Sequence, residues 1–194
     1  MSFLKSVITG TLRHSLCASF GALNAAGLYR PAAPPVAYVI EKADWSIRWD
    51  GHYYVSGVEA SHPGTVTVSV HPERLFNRIA HFGSQFYWGL WAGAMSPSNR
   101  TVVSYFHGKP EDGPEMARHV DFFLDNLDRI EKVVTAASLT ERRLLDLGVP
   151  HDKLVRVPLG VDTNLFRRPS PEERQAVRAC LSVPEGAVCV GSFQ

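Results

Sequence analysis

Acidic residues are missing from the start of this chain: Lys5, Arg13 and Arg30 all precede Glu41, the first carboxylate. Cysteine is scarce. Cys17, Cys180 and Cys189 are odd in number and far from any Cys-x-x-Cys spacing, which argues against a disulfide framework and for a reduced, cytoplasmic setting. No His-Glu-x-x-His or clustered His/Cys pattern offers a zinc site. No Asp-x-Asp pair offers the compact carboxylate grip that holds Mg²⁺ or Mn²⁺ on a nucleotide phosphate. No metal and no cofactor is therefore expected. Gly-x-Ser-x-Gly and Gly-Lys-Ser/Thr are both absent, which removes the signatures of a hydrolase elbow and of an NTPase loop. Gly-x-Gly-x-x-Gly does not follow the first strand, which argues against a dinucleotide redox enzyme. A net charge of +1 gives no general pull toward nucleic acid.

What is present begins with a basic leader. Its apolar-leaning stretch 16–28 is shorter than the ~20 residues a bilayer span needs. A poorly ordered leader, a helix lying on a membrane surface and a signal peptide all remain open for residues 1–35, which close on the linker PAAPP at 31–35.

Strand and helix signals then alternate. VAYVI at 36–40 is a continuous apolar run, as suits a strand buried on both faces of a parallel sheet. The polar and aromatic stretch EKADWSIRWDGHYYVSG reads as a loop at that strand's carboxyl end, the edge where open α/β sheets bind ligands. VTVSV at 66–70 is a second strand. Residues 73–91 read as a helix, with Leu75, Ile79, Phe82, Phe86 and Leu90 forming a stripe at helical spacing. TVVSYF at 101–106 is a third strand and ends in His107-Gly108. A helix over 114–129 follows, with Arg118, Asp121, Asp125 and Asp128 on its outer face. KVVTA at 132–136 is the fourth strand. Ser138 with Glu141 suggests a capped short helix closed by Gly148, and 154–157 is the fifth strand. Ser170, Pro171 and Glu173 write the start of another helix, and 187–190 reads as a strand leading into Gly191-Ser192. The pattern predicts an α/β, Rossmann-like parallel sheet with right-handed crossovers and helices on both faces.

SYFHG at 104–108, KLVRVPLGVDTNLF at 153–166 and VGSF at 190–193 together resemble the GT-B glycosyltransferases, and more narrowly family 4 of the nucleotide-sugar-dependent transferases. The resemblance covers roughly residues 36–194, about the first half of such an enzyme. Beyond the leader and linker over 1–35, it implies an acceptor-side Rossmann-like domain over 36–161, and over 162–194 the hinge and opening elements of a donor-binding domain that is cut short. The intact enzyme is expected to pass a sugar from a nucleotide-diphosphate sugar, its substrate, to a sugar, lipid or small-molecule acceptor, with retention and without metal.

The implied roles fall on individual residues. His107 matches the histidine that projects toward the donor sugar, where an imidazole can hydrogen-bond a hydroxyl or stabilise the transition state. Gly108 permits close backbone approach. Gly191 and Ser192 match the first phosphate-side turn of the donor domain. The family's paired glycines after the first strand are replaced here by a single Gly51 far along the stretch. That departure shifts this region toward acceptor contact through Trp45, Arg48, Asp50 and Gly51. A non-catalytic Rossmann-like binding or assembly module is the alternative, and peripheral membrane contact is compatible with both.

Overall fold

Residues 37–40 are buried in the first unit, as an apolar run should be. The computed structural model describes residues 3–30 and 35–190. Its order is α1 (Phe3–Ala25), β1 (Val36–Val39), α2 (Ser46–Ser61), β2 (Val66–Ser69), β3 (Ile79–Phe82), α3 (Gln85–Trp91), β4 (Arg100–Ser104), α4 (Pro114–Asp125), β5 (Lys132–Thr135), α5 (Ser138–Asp146), β6 (Leu154–Arg156) and α6 (Pro171–Cys180). The chain divides into two compact units, Met1–Pro158 and Leu159–Gln194.

The first unit holds one six-stranded sheet, order β2-β1-β3-β4-β5-β6, with every pairing parallel. It is an α/β, Rossmann-like fold. Side chains alternate across β1, as a period of two requires. Ala37 and Val39 join a core with Phe82, Trp88, Val103, Phe123, Val133 and Leu144, which packs α3, α4 and α5 on one face. Tyr38 and Ile40 join Val66 in a second core on the other face, against Val55 and Val58 of α2. Gly51 sets how close α2 can come. A Cβ there would lie 2.4 Å from Ile40 Cγ2 and 3.1 Å from the Tyr38 ring.

Two stretches fold differently from the expectation drawn from sequence. Residues 73–91 are not one helix. They form a short turn, the central strand β3 and the seven-residue α3. Asn77 takes a left-handed φ of 53°, which ends any helix there. Residues 79–82 instead satisfy their backbone groups by pairing with β1 on one side and β4 on the other. The apolar spacing that mimicked a helix is a strand and a separate helix set end to end. The supposed loop after β1 is the other case. Most of it is α2, whose Ile47, Gly51, Val55 and Val58 recur at helical spacing. Gly51 and Gly57, and a Trp45 N-cap that makes no side-chain bond, hide that helix from view.

Smaller differences follow. Ala137, not Ser138, occupies the N-cap of α5, and no side chain bonds the cap. Its other end matches the reading: Gly148 at φ 91° lets Gly148 N–H reach Leu145 O at 2.9 Å and Val149 N–H reach Leu144 O at 2.9 Å. α4 stops at Asp125, and a tight turn carries the chain to Arg129.

Phe3–Ala25 is helix, and its later turns pack against the rest of the first unit. Cys17 is buried against the first core, Arg13 lies 5.5 Å over the Trp91 ring, and Arg74 lies 5.2 Å over Phe20. The Tyr29 hydroxyl donates to Arg74 O at 3.0 Å. Burial pushes the Cys17 thiol up to about 11, so it stays protonated. No helix among the described residues is long and apolar enough to cross a membrane.

The second unit is built on α6. The Ser170 hydroxyl accepts from Glu173 N–H at 3.2 Å, and the Glu173 carboxylate accepts from Ser170 N–H at 2.7 Å. That is the reciprocal capping box its sequence announced. Arg167 grips the same carboxylate through both terminal nitrogens, at 2.7 and 2.8 Å. The strand expected over 187–190 does not form among the described residues. A strand needs a partner ladder, and here Ala187 N–H turns back to Pro184 O while its carbonyl accepts from Arg178. No residue of 159–190 is fully buried.

Candidate functional site

In a sheet whose strands all run parallel, every carboxyl end lies on one edge. The strand order reverses at β1, since β2 lies on one side of it and β3 on the other. Such a reversal opens a crevice outside the carboxyl ends of the two strands beside it, here β1 and β3. Glu41 follows β1 there, and Gly83-Ser84 follows β3.

Ser84 is buried and caps α3, accepting from Phe86 N–H at 3.2 Å and Tyr87 N–H at 3.4 Å. Partial burial pushes Glu41 up from the ordinary carboxylate range, and the nearby Ser84 hydroxyl opposes that rise.

The next residue, Gln85, is 1% exposed. Its amide nitrogen donates to His107 O at 2.8 Å, and its amide oxygen accepts from Phe106 N–H at 3.4 Å. Thr140 of α5 donates to Phe106 O at 3.2 Å, and the buried Tyr105 hydroxyl donates to Gly108 O at 3.2 Å. Side chains from α3, α5 and the loop itself thus fix the backbone of residues 106–108. The His107 side chain is exposed and its ring centroid lies 5.6 Å from that of Phe86. Phe86 is stacked in turn on His119 at 4.4 Å, and burial pulls the His119 imidazole down from its usual range. Gly108 has φ 109°, and a Cβ on it would meet Met116 Sδ at 2.5 Å. The positive φ is what calls for glycine there, while the flexible Met116 side chain could move aside.

The residues predicted for acceptor contact all fall at the start of α2. Trp45 and Trp49 are 53% and 54% exposed. Arg48 donates to Lys42 O at 3.3 Å. Asp50 is partly buried, which raises its carboxyl, and its charge helps to hold the Tyr38 phenol up at about 12 behind the larger effect of burial. Gly51 faces the sheet instead, under the helix, where its role is close packing. Gly191 and Ser192 lie outside the described residues. Among the described residues no group of three or more His, Cys, Asp or Glu side chains is placed to hold a metal ion.

Sequence reasoning passed over Glu41, Ser84 and Gln85. Glu41 was in plain view, one residue beyond the first strand. Ser84 and Gln85 were hidden by the reading of 73–91 as helix.

A second polar group lies on the α2 face of the sheet. His81 Nε2 is 3.0 Å from Ser104 Oγ, and the His81 ring packs 4.6 Å from Tyr38 and 6.1 Å from Tyr54. Burial drives the His81 imidazole down to about 4, so it is neutral near pH 7.

The fold and this edge define the class: a Rossmann-like α/β protein with a candidate ligand crevice at β1 and β3. Comparison with family models, curated proteins and solved structures found no match to the chain.

Proposed function

We propose that the first unit is the acceptor-side half of a nucleotide-sugar-dependent glycosyltransferase of the GT-B type, close in kind to family 4. In this reading the intact enzyme moves a sugar from a nucleotide-diphosphate sugar to a sugar, lipid or small-molecule acceptor. It does so with retention and without a metal. The observation that carries the reading is His107: an exposed imidazole at the carboxyl edge, on a backbone held by Gln85, Thr140 and Tyr105. A group that must meet developing charge on a sugar works best when it is fixed in advance. His107 would hydrogen-bond the donor sugar, and Gly108 would let the loop pass close to it. Trp45, Arg48 and Asp50 would contact the acceptor.

The second unit supports the same reading. Leu165, Phe166, Val177, Leu181, Val188 and Val190 are all exposed. Apolar side chains in such number are what the opening elements of a donor domain would present before the rest of its sheet covered them. Gly191 and Ser192 would then face the donor diphosphate. The setting is cytoplasmic, with peripheral membrane contact through α1. There Leu12, Leu16 and Leu23 are exposed at spacings that share one face of the helix.

The test has two arms. Calorimetric titration of residues 1–194 with UDP-glucose and GDP-mannose should give weak binding or none, because most donor contacts belong to the other domain. Micromolar binding would refute that division of labour. The coding sequence beyond Gln194 should supply a second α/β domain with a Glu-x₇-Glu-like pair. A stop codon there would favour a non-catalytic binding module.

A further inference from the structure

An open cleft of about 410 Å³ lies between α1 and the loops that lead into β3 and β4. Those loops precede their strands, so the cleft sits at the amino edge of the parallel sheet, away from the edge that carries His107. Its volume falls within the range of about 300–1,000 Å³ usual for small-ligand sites. The α1 wall follows from the sequence. His14, Cys17, Ala18 and Gly21 recur at helical spacing. Ala18 and Gly21 are too small to fill the gap beside them. A Cβ on Gly21 would meet only Phe76, at 3.8 Å. Phe76 and Met95 add apolar surface from the loops, and no Asp, Glu, Lys or Arg is among the described residues that line the cleft. Such a lining favours an apolar occupant over water.

Two polar side chains reach the cleft. Ser96 is engaged by its neighbour: its Oγ lies 2.9 Å from Ser98 Oγ and accepts from Ser98 N–H at 3.3 Å. His14, exposed at the rim, places Nδ1 2.9 Å from Gly10 O. A carbonyl oxygen only accepts, so Nδ1 carries the hydrogen, and Nε2 of the neutral ring is an acceptor. From His14 to Gly21 the wall runs about 10 Å along the helix axis, with that acceptor at one end. A trough of this length suits a flexible chain better than a compact ring, and the Met95 thioether can adapt to it.

We propose that this cleft binds the aliphatic chain of an uncharged single-chain amphiphile, whose hydroxyl donates to His14 Nε2. The ligand arrives as a dissolved molecule. Leu12, Leu16 and Leu23 lie on the opposite side of α1, so a bilayer that met those leucines would not face the cleft. The site is independent of the glycosyltransferase reading, and neither depends on the other being right.

The experiment is NMR of the methionine methyl groups in residues 1–194, titrated with octanol. Met95 lines the cleft, and Met116 packs against Gly108 at the other edge, so one methyl reports and the other is the control. The Met95 signal should shift and saturate while Met116 stays in place. Gly21→Leu puts a side chain into the trough toward Phe76, favours the helix and should abolish the shift. Ala18→Leu, which fills the trough from the adjoining turn, should do the same and covers the case in which Gly21→Leu fails to fold. His14→Phe keeps a ring and removes the acceptor, and should weaken octanol about fivefold or more, the usual cost of leaving a hydroxyl without its partner. Equal affinity in His14→Phe would overturn the hydroxyl contact. The site itself would be refuted by no saturable shift, by Met116 moving in step with Met95, or by a Met95 shift that survives a folded filling variant.

Discussion

The side-chain amide of Gln85 donates to the main-chain oxygen of His107 across 2.8 Å, so the first residue of α3 fixes the loop that ends β4. The same amide accepts from Phe106 N–H. One buried side chain thereby serves both polar groups of a loop that has no strand partner at that point.

Removing it should be costly. Gln85→Ala leaves the His107 carbonyl and the Phe106 N–H without their partner, and each such loss costs on the order of 1–3 kcal/mol. Urea unfolding should show a loss of stability of that order. Amide exchange should speed up at residues 106–108 before it does in β1. Unchanged exchange there would mean that Thr140 and Tyr105 hold the loop alone.

Gly51→Ala separates packing from ligand contact. Alanine is the better helix former by about 1 kcal/mol. At a solvent-facing position of α2 the variant would therefore be more stable. The added Cβ meets Ile40 Cγ2 at 2.4 Å, however, and overpacking of that kind costs about 1–3 kcal/mol. Thermal unfolding should show a net loss.

His81 should make stability depend on pH. Its folded value is lowered to about 4 from an unfolded value near 6.5. Between those limits the unfolded chain binds a proton that the folded chain refuses. This contribution is complete above about pH 6.5 and is lost as pH falls toward 4, by up to about 3 kcal/mol. The groups facing His81 are Tyr38, Tyr54 and Ser104, with Asp50 near Tyr38. Other carboxylates titrate in the same range, so the readout is the difference between the wild type and His81→Gln. That difference should be level above pH 7 and slope below it.

The proposed membrane contact has its own check. The chain should float with vesicles containing phosphatidylglycerol, and the combined Leu12→Ser and Leu16→Ser variant should stay in the aqueous fraction. Equal flotation of both would place any membrane contact elsewhere.

Five of the six strands were legible because β1, β2, β4, β5 and β6 are short β-branched runs bounded by turn residues. β3 was not. Its four residues IAHF sit among apolar neighbours whose spacing matches a helix turn for turn, and only pairing with β1 and β4 decides the matter. Pairing is a property of the whole fold, and no local window contains it. The site divides along the same line. The placement of His107 could be read from a strand followed by His-Gly. The hold of Gln85 on the loop at 106–108 could not, because it exists only once α3 is a separate helix following β3.

Cys17 is buried on the inner side of α1, while Cys180 and Cys189 are exposed. A maleimide dye added to the native chain should consequently decorate only the Leu159–Gln194 unit, and Cys17 should react no faster than α1 lifts away. One thiol then serves as a clock for the leader's release, and the other two become attachment points for watching the second unit.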